Sequence, residues 1–203
     1  MPRDGRRNRE RILDAAESLI IDGGYSATSL DAIIAAAGTS KGAFFHHFGS
    51  KAELADALVE RYADADVGQL RAALASVGEQ ADAGARLLAF LDWFIAGADE
   101  LMGEQSSCLY IAVLVERELV GAGTAQPVRR AVMEWRGAVA DLVRRADAER
   151  GERGAVALSA DDLADHLFVT FEGAFLLARA TGDASHMRRQ LATLRALVAA
   201  WLA

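Results

Sequence analysis

The side chains able to do chemistry gather in one short stretch. Between Gly38 and Lys51 stand Ser40, Lys41, His46, His47 and Lys51. Gly38-Thr39-Ser40-Lys41-Gly42 satisfies G-x-S-x-G, the nucleophile turn of serine hydrolases, but that turn follows a strand and needs an acid and a histidine after it. A helical pattern precedes Gly38, and the chain shows no parallel-sheet alternation, so Ser40 is not read as a nucleophile. His46 and His47 are adjacent, and neighbours on a helix point about 100° apart, so they do not form a metal pair. There is no Walker loop, H-E-x-x-H or dinucleotide fingerprint. The chain therefore reads as non-enzymatic, with no metal and no cofactor. What is left is a set of hydroxyl and ammonium donors beside small residues, which suits hydrogen bonding to phosphates and base edges. Lys41 is the candidate for a guanine edge or a phosphate. Gly42 and Ala43 let a backbone approach closely and leave room for a thymine methyl. Thr39 and Ser40 can cap a helix and donate to phosphate.

Such donors are useful only if an element holds them out. From Thr28 to Lys51 the chain reads as a short helix, a turn at Gly38, a second short helix and the start of a third. Three helix-start signals mark these elements: Thr28 with Asp31, Thr39 after the turn glycine, and Ser50 with Glu53. Leu30, Ile33, Ile34 and Ala37 form an apolar stripe on the first helix. The second cannot exceed about two turns before Gly49, and Phe44 and Phe48 are its core anchors. Two helices joined by a glycine-containing turn are the unit that sets a recognition helix into a major groove.

The segment AAAGTSKGAFFHHFGSKAEL resembles the DNA-binding motif of the tetracycline-repressor-like (TetR) family of bacterial transcriptional regulators. Ala37, Gly38, Ser40, Lys41, Gly42, Phe44, His47, Phe48, Ser50, Lys51 and Leu54 match, and Gly24-Tyr25 with Thr28-Ser29 matches the junction before it. The resemblance covers about a quarter of the chain. It implies that Phe45, His46 and His47 lie along the backbone or groove edge, and that Thr28 and Lys51 clamp phosphates. It also implies that the last two helices pair with their copies in a dimer. Two positions depart from the pattern. Phe45 replaces the usual tyrosine and lacks its hydroxyl, and Thr39 replaces a small apolar residue.

Composition sets the outer bounds. The chain has 203 residues, 52% of them hydrophobic, two prolines and one cysteine. Much Ala, Leu, Arg and Glu with so little proline points to an all-α fold of about nine helices. No apolar run of about 18 residues suggests a membrane span, and the arginine-rich start has no apolar segment behind it, so a cytoplasmic protein is expected. One cysteine allows no intrachain disulfide; Cys108 has no adjacent cation and reads as inert. The net charge is −7, yet residues 1–51 carry +1. DNA affinity needs a local basic footprint rather than a basic protein.

The expected organisation is a helix-turn-helix DNA-binding domain over 1–52 and a ligand-binding and dimerisation domain over 53–203. Residues 1–6 read as a basic tail and 7–22 as the first helix. A connector helix starts near Ser50 and extends to about Leu74. Helices follow at about 84–101, 105–119, 127–150, 159–181 and 184–202, with a loop from Gly121 to Pro127 and a break at Gly151–Gly154. Phe90, Trp93, Phe94, Cys108, Ile111, Trp135, Phe168, Phe171, Glu172 and Phe175 are candidate pocket residues for a flat apolar molecule. Surplus apolar surface on the last two helices points to a partner subunit, through Leu163, Leu167, Ala174, Leu177, Leu191, Leu194, Val198 and Trp201. The resulting expectation is a homodimeric regulator, a repressor released from a near-palindromic double-stranded operator by a small apolar or aromatic effector. The alternative is a helical small-molecule-binding protein that does not contact DNA.

Overall fold

The computed structural model describes residues 3–78, 82–104, 108–116, 122–150 and 158–203. Among them are nine helices and no strand. These are α1 (Arg3–Gly23), α2 (Leu30–Ala36), α3 (Lys41–His47), α4 (Lys51–Ser76), α5 (Ala83–Glu104), α6 (Leu109–Val115), α7 (Ala122–Arg150), α8 (Ala160–Thr181) and α9 (His186–Leu202). None is long and apolar enough to cross a membrane.

The helices fall into two compact units. One comprises Met1–Ala65 with Ser107–Arg130, the other Asp66–Ser106 with Ala131–Ala203. Residues of α4 and of α7 belong to both.

In the first unit α1 packs on α2, α3 and α6, and α2 packs on α3. Ile12, Leu13, Ala16 and Ile20 of α1 are buried with Ile33 of α2, Phe44 of α3, Phe48 behind it and Leu54 and Leu58 of α4. Fully burying such side chains contributes about 1.5–3 kcal/mol each before chain entropy is charged against it. Arg61 of α4 binds three carboxylates of α1 at successive turns: Glu10 at 3.1 Å, Asp14 at 2.7 Å and Glu17 at 2.6 Å. That network fixes the face of α1 turned to α4.

In the second unit α9 packs on both α5 and α8. Met187, Leu191, Leu194, Val198 and Trp201 are its buried stripe. Arg195 pairs with Asp92 at 2.5 Å and Arg188 with Asp99 at 2.8 Å, lining α9 up along α5. Such exposed pairs set register more than stability. Arg150 stacks its guanidinium over the Trp201 ring at 4.5 Å and donates to the Trp201 carbonyl, which ties the end of α7 to the end of α9.

Several element ends differ from the sequence expectation. The basic tail is helical from Arg3 onward. The N-cap of α2 is Ser29, whose hydroxyl accepts from the Ala32 amide, and not Thr28. α6 is only Leu109–Val115, the expected 105–107 and 117–119 lying outside the described residues. α7 starts at Ala122, inside the expected loop, and Pro127 sits within it. Proline there forgoes one bond to the carbonyl four residues back, but Thr124 and Pro127 are both buried, so packing holds the added turn. The break at Gly151–Gly154 lies outside the described residues. Ser159 caps α8 through the Asp162 amide, and Gly182, at φ +73°, ends it as expected.

Candidate nucleic-acid interface

The turn between α2 and α3 is built by local chemistry. Ala37 closes α2, and Gly38 takes φ +58°, a left-handed conformation costly for other residues. Ser40 then caps α3, its hydroxyl accepting from the Ala43 amide at 3.1 Å. Phe44 is fully buried and Phe48 nearly so, and their tilted rings stand 5.7 Å apart. Those two anchors fix which side of α3 faces out. Lys41, Gly42, Phe45 and His46, related by i, i+4 spacing, are exposed. Phe45 is 47% exposed, a large apolar area for a single-turn position.

Behind this face the supports come from distant parts of the sequence. The Thr39 hydroxyl donates to Asn8 Oδ1 on α1 at 3.0 Å. Arg9 stacks over the Phe48 ring at 5.3 Å. His47 is half-buried; desolvation, then the charges of His46 and Arg9, hold its pKa below the usual imidazole value. Ser50 and Glu53 form a capping pair at the head of α4. The Ser50 hydroxyl accepts from the Glu53 amide, and the Glu53 carboxylate accepts from the Gly49 amide at 2.8 Å.

The turn after α1 is held from 90 residues away. Glu116, just past α6, accepts from the Tyr25 amide at 2.6 Å and from the Ser26 amide and hydroxyl at 2.8 Å each. Burial pushes this carboxylate up, but the Ser26 and Tyr25 bonds and the charge of Lys51 outweigh it and hold it below the ordinary range. Lys51 donates to the Tyr25 carbonyl at 2.5 Å and lies over the Tyr25 ring at 3.9 Å. Thr28 is buried and its hydroxyl donates to the Gly24 and Leu19 carbonyls at 2.7 and 3.2 Å. Thr28 and Lys51 are thus turned to holding this turn, whereas phosphate clamping would need them facing out. Glu116 and Asn8 were missed from the sequence. Nothing local marks either one, because both act across long sequence separations.

Of the expected pocket residues, five stand ring against ring in the second unit. Phe94 lies 5.1 Å from Phe90, 4.7 Å from Trp93, 5.2 Å from Trp135 and 5.5 Å from Phe171. Phe90, Phe94 and Phe175 are buried, while Phe168 and Glu172 are half-buried. The indole N–H of Trp135 is buried with no acceptor among the described residues. Cys108 and Ile111 belong to the other unit, where the Tyr62 hydroxyl donates to the Cys108 sulfur at 3.7 Å.

The expected partner surface needs correction. Leu167 and Ala174 of α8 and Leu191, Leu194, Val198 and Trp201 of α9 are buried within the chain's own second unit, where α9 packs on α5 and α8. Leu163 is half-buried, and only Leu177 is exposed. On α8 and α9 the most exposed large apolar residues are Val169, Leu176 and Leu197, at 55–60% exposure.

A family model described as bacterial regulatory proteins, tetR family, matches residues 12–58, and one described as tetracyclin repressor-like, C-terminal domain, matches residues 83–194. The chain is 42% identical over 74 residues to the HTH-type transcriptional activator FasR of Mycolicibacterium smegmatis, covering 36% of this chain and 33% of that one. It is 39% identical over 57 residues to an uncharacterized HTH-type transcriptional regulator in the lacX 3' region of Lactococcus lactis, covering 28% and 29%. The match thus spans about a third of the length of these curated relatives. Among solved structures, a TetR transcriptional regulator from Chloroflexus aurantiacus superposes with TM-score 0.74 at 28% identity, covering 97% of this chain and 96% of that one. A TetR-family regulator from Agrobacterium tumefaciens gives TM-score 0.75 at 23% identity, covering 95% and 98%, a likeness of fold.

Proposed function

The chain belongs to the tetR family of bacterial regulatory proteins, and from that premise we propose that it binds duplex DNA as a homodimer and regulates transcription. The operator is near-palindromic, and a small apolar or aromatic effector releases the protein from it. The observation that carries the DNA reading is Gly42. It lies in the first turn of α3 with a helical backbone that alanine could adopt, and a Cβ there would meet nothing within 4 Å. Glycine weakens a helix, and the chain gains no packing from this one. The open space on an exposed face beside Lys41 and His46 suits a partner that comes close to the backbone, as a base edge does. We assign groove contacts to Lys41, Gly42, Ala43, Phe45 and His46, and backbone contacts to Ser40 and His47; the Thr39 hydroxyl, expected to donate to phosphate, is already donated to Asn8.

One seven-residue helix reads few bases, so a two-fold pair with half-sites about one helical turn apart supplies the specificity. For the pairing surface we infer the exposed stripes of Val169, Gly173 and Leu176 on α8 and of Thr193, Leu197 and Ala200 on α9. Their three- and four-residue spacing keeps each set on one helix face. The effector site is the ring cluster of the second unit. The unsatisfied Trp135 N–H favours an aromatic molecule carrying a hydrogen-bond acceptor. Such a ligand lowers DNA affinity only as far as it prefers the conformation that does not bind DNA. Displacement of α4, whose residues belong to both units, is the proposed route. Repression needs only occupancy and release.

The test is selection from a randomised duplex pool, followed by titration of Lys41→Ala on the selected duplex. Weaker binding is expected, with about 1–3 kcal/mol of discrimination lost at one position if Lys41 reads a base. A uniform loss on all sequences would make it a phosphate contact. A wild-type protein that selects no duplex at low salt overturns the reading in favour of a ligand-binding protein that does not touch DNA.

A further inference from the structure

Asn8 of α1 is half-buried, and its side-chain oxygen is fully used. Arg11, one turn on, donates to Oδ1 at 2.8 Å, and Thr39 donates to the same oxygen at 3.0 Å. Arginine has no acceptor, so the atom facing it must be the oxygen, and the orientation of the amide is thereby settled. The two lone pairs of that oxygen are taken, and the amide nitrogen points away with two N–H donors. No described residue accepts from it. A side chain held by two bonds and leaving both donors unused is oriented for an acceptor from outside.

The place of those donors identifies the acceptor. Thr39 immediately precedes Ser40, the cap of α3, so the Asn8 amide lies beside the first turn of that helix. The exposed cations Arg7, Arg11 and Lys41 are on the same elements, α1 and α3. Glu10, the nearest acid in sequence on α1, is already paired with Arg9 and Arg61. In helix-turn-helix complexes the helix before the recognition helix crosses the sugar-phosphate backbone; that helix is α2, and α1, which packs on both α2 and α3, holds Asn8 against the same end of α3. Phosphate and sugar take half or more of all hydrogen bonds in such complexes, and phosphate oxygens only accept. We propose that Asn8 is a DNA-contacting residue that donates from its amide nitrogen to a phosphate oxygen beside the first turn of α3, with Thr39 and Arg11 holding it in that orientation. This rests on the DNA-binding reading above. It also gives Thr39 a role that the small apolar residue usual at its position could not fill.

Asn8→Asp makes the sharpest test. It keeps an oxygen for Arg11 and Thr39, replaces the two donors by a second acceptor and adds a negative charge, which Asn8→Ala does not. On the duplex the wild-type protein selects from a random pool, Asn8→Asp and Asn8→Ala are expected to lose about tenfold in affinity per half-site, the scale of one lost hydrogen bond to a charged group. The Asn8→Asp loss should persist as salt is raised, whereas simple charge repulsion would fade. Its melting temperature should match the wild type. Thr39→Val should fall between, because the amide is then free to rotate. Duplexes carrying a single methylphosphonate should show one backbone position per half-site whose penalty vanishes in Asn8→Ala. If Asn8→Asp binds as the wild type does, or if no methylphosphonate penalty depends on Asn8, the inference fails alone. If the wild-type protein selects no duplex, the proposed function fails and takes this inference with it.

Discussion

Replacing Gly42 by alanine should raise stability and lower DNA affinity together. The new methyl meets nothing in the chain, and removing a helical glycine stabilises by up to about 0.5–1 kcal/mol. Thermal melting and a titration on the selected duplex would check the opposed signs; a variant that binds DNA undiminished would leave the open space at Gly42 unexplained. At Glu116 the expected effect is on folding. Its carboxylate is held below its usual value near 4.5, so the folded chain binds fewer protons than the unfolded one in mild acid. The stability it contributes is complete above that usual value and drains away as pH falls through the lower folded value. Glu116→Gln should cost about 1–2 kcal/mol at pH 7 and flatten the acid limb of the stability curve, as measured by urea titration across pH 3–7. Sequence made Phe44 and Phe48 legible and narrowed the cap of α3 to Thr39 or Ser40, since a cap and a buried anchor are written in residues three or four apart; that Ser40 caps while Thr39 turns to Asn8 depends on α1. Nothing near Tyr25 announces Glu116, because hydrogen bonds across 90 residues leave no local spacing to detect.

α9 shows what periodicity can and cannot say about an element. Met187, Leu191, Leu194, Val198 and Trp201 recur at helical spacing, and the structure buries all five. Spacing reveals that a face is covered but not what covers it, so a stripe filled by α5 and α8 was indistinguishable from one awaiting a second copy. The distinction is measurable. Trp201→Asp should destabilise the fold by about 3 kcal/mol or more, since it removes a large buried ring and buries a charge. Leu197→Asp, on the exposed side, should leave the melting temperature nearly unchanged and shift sedimentation from dimer to monomer. A folded monomer from Trp201→Asp would return the interface to the inner stripe. The start of α7 differs from expectation for a related reason: proline and glycine weigh on local propensity, while burial of Thr124 and Pro127 decides the outcome.

At the scale of the whole chain, the two compact units are not successive lengths of sequence. The first needs Ser107–Arg130 as well as the residues before Ala65. A fragment ending at Ala65 lacks α6, which packs on α1, and lacks Glu116 under the Tyr25 turn. It is expected to show less helix by circular dichroism than its share of the intact chain and no cooperative melt. A sharp melt from that fragment would show that the N-terminal residues suffice. The same discontinuity governs synthesis. A ribosome that has just released Lys51 has made every candidate groove contact, yet the scaffold under them is incomplete until roughly eighty further residues emerge. Half-made chains, and products of early stop codons, therefore carry the reading head without the means to hold it still, and they should not compete with finished protein for its sites.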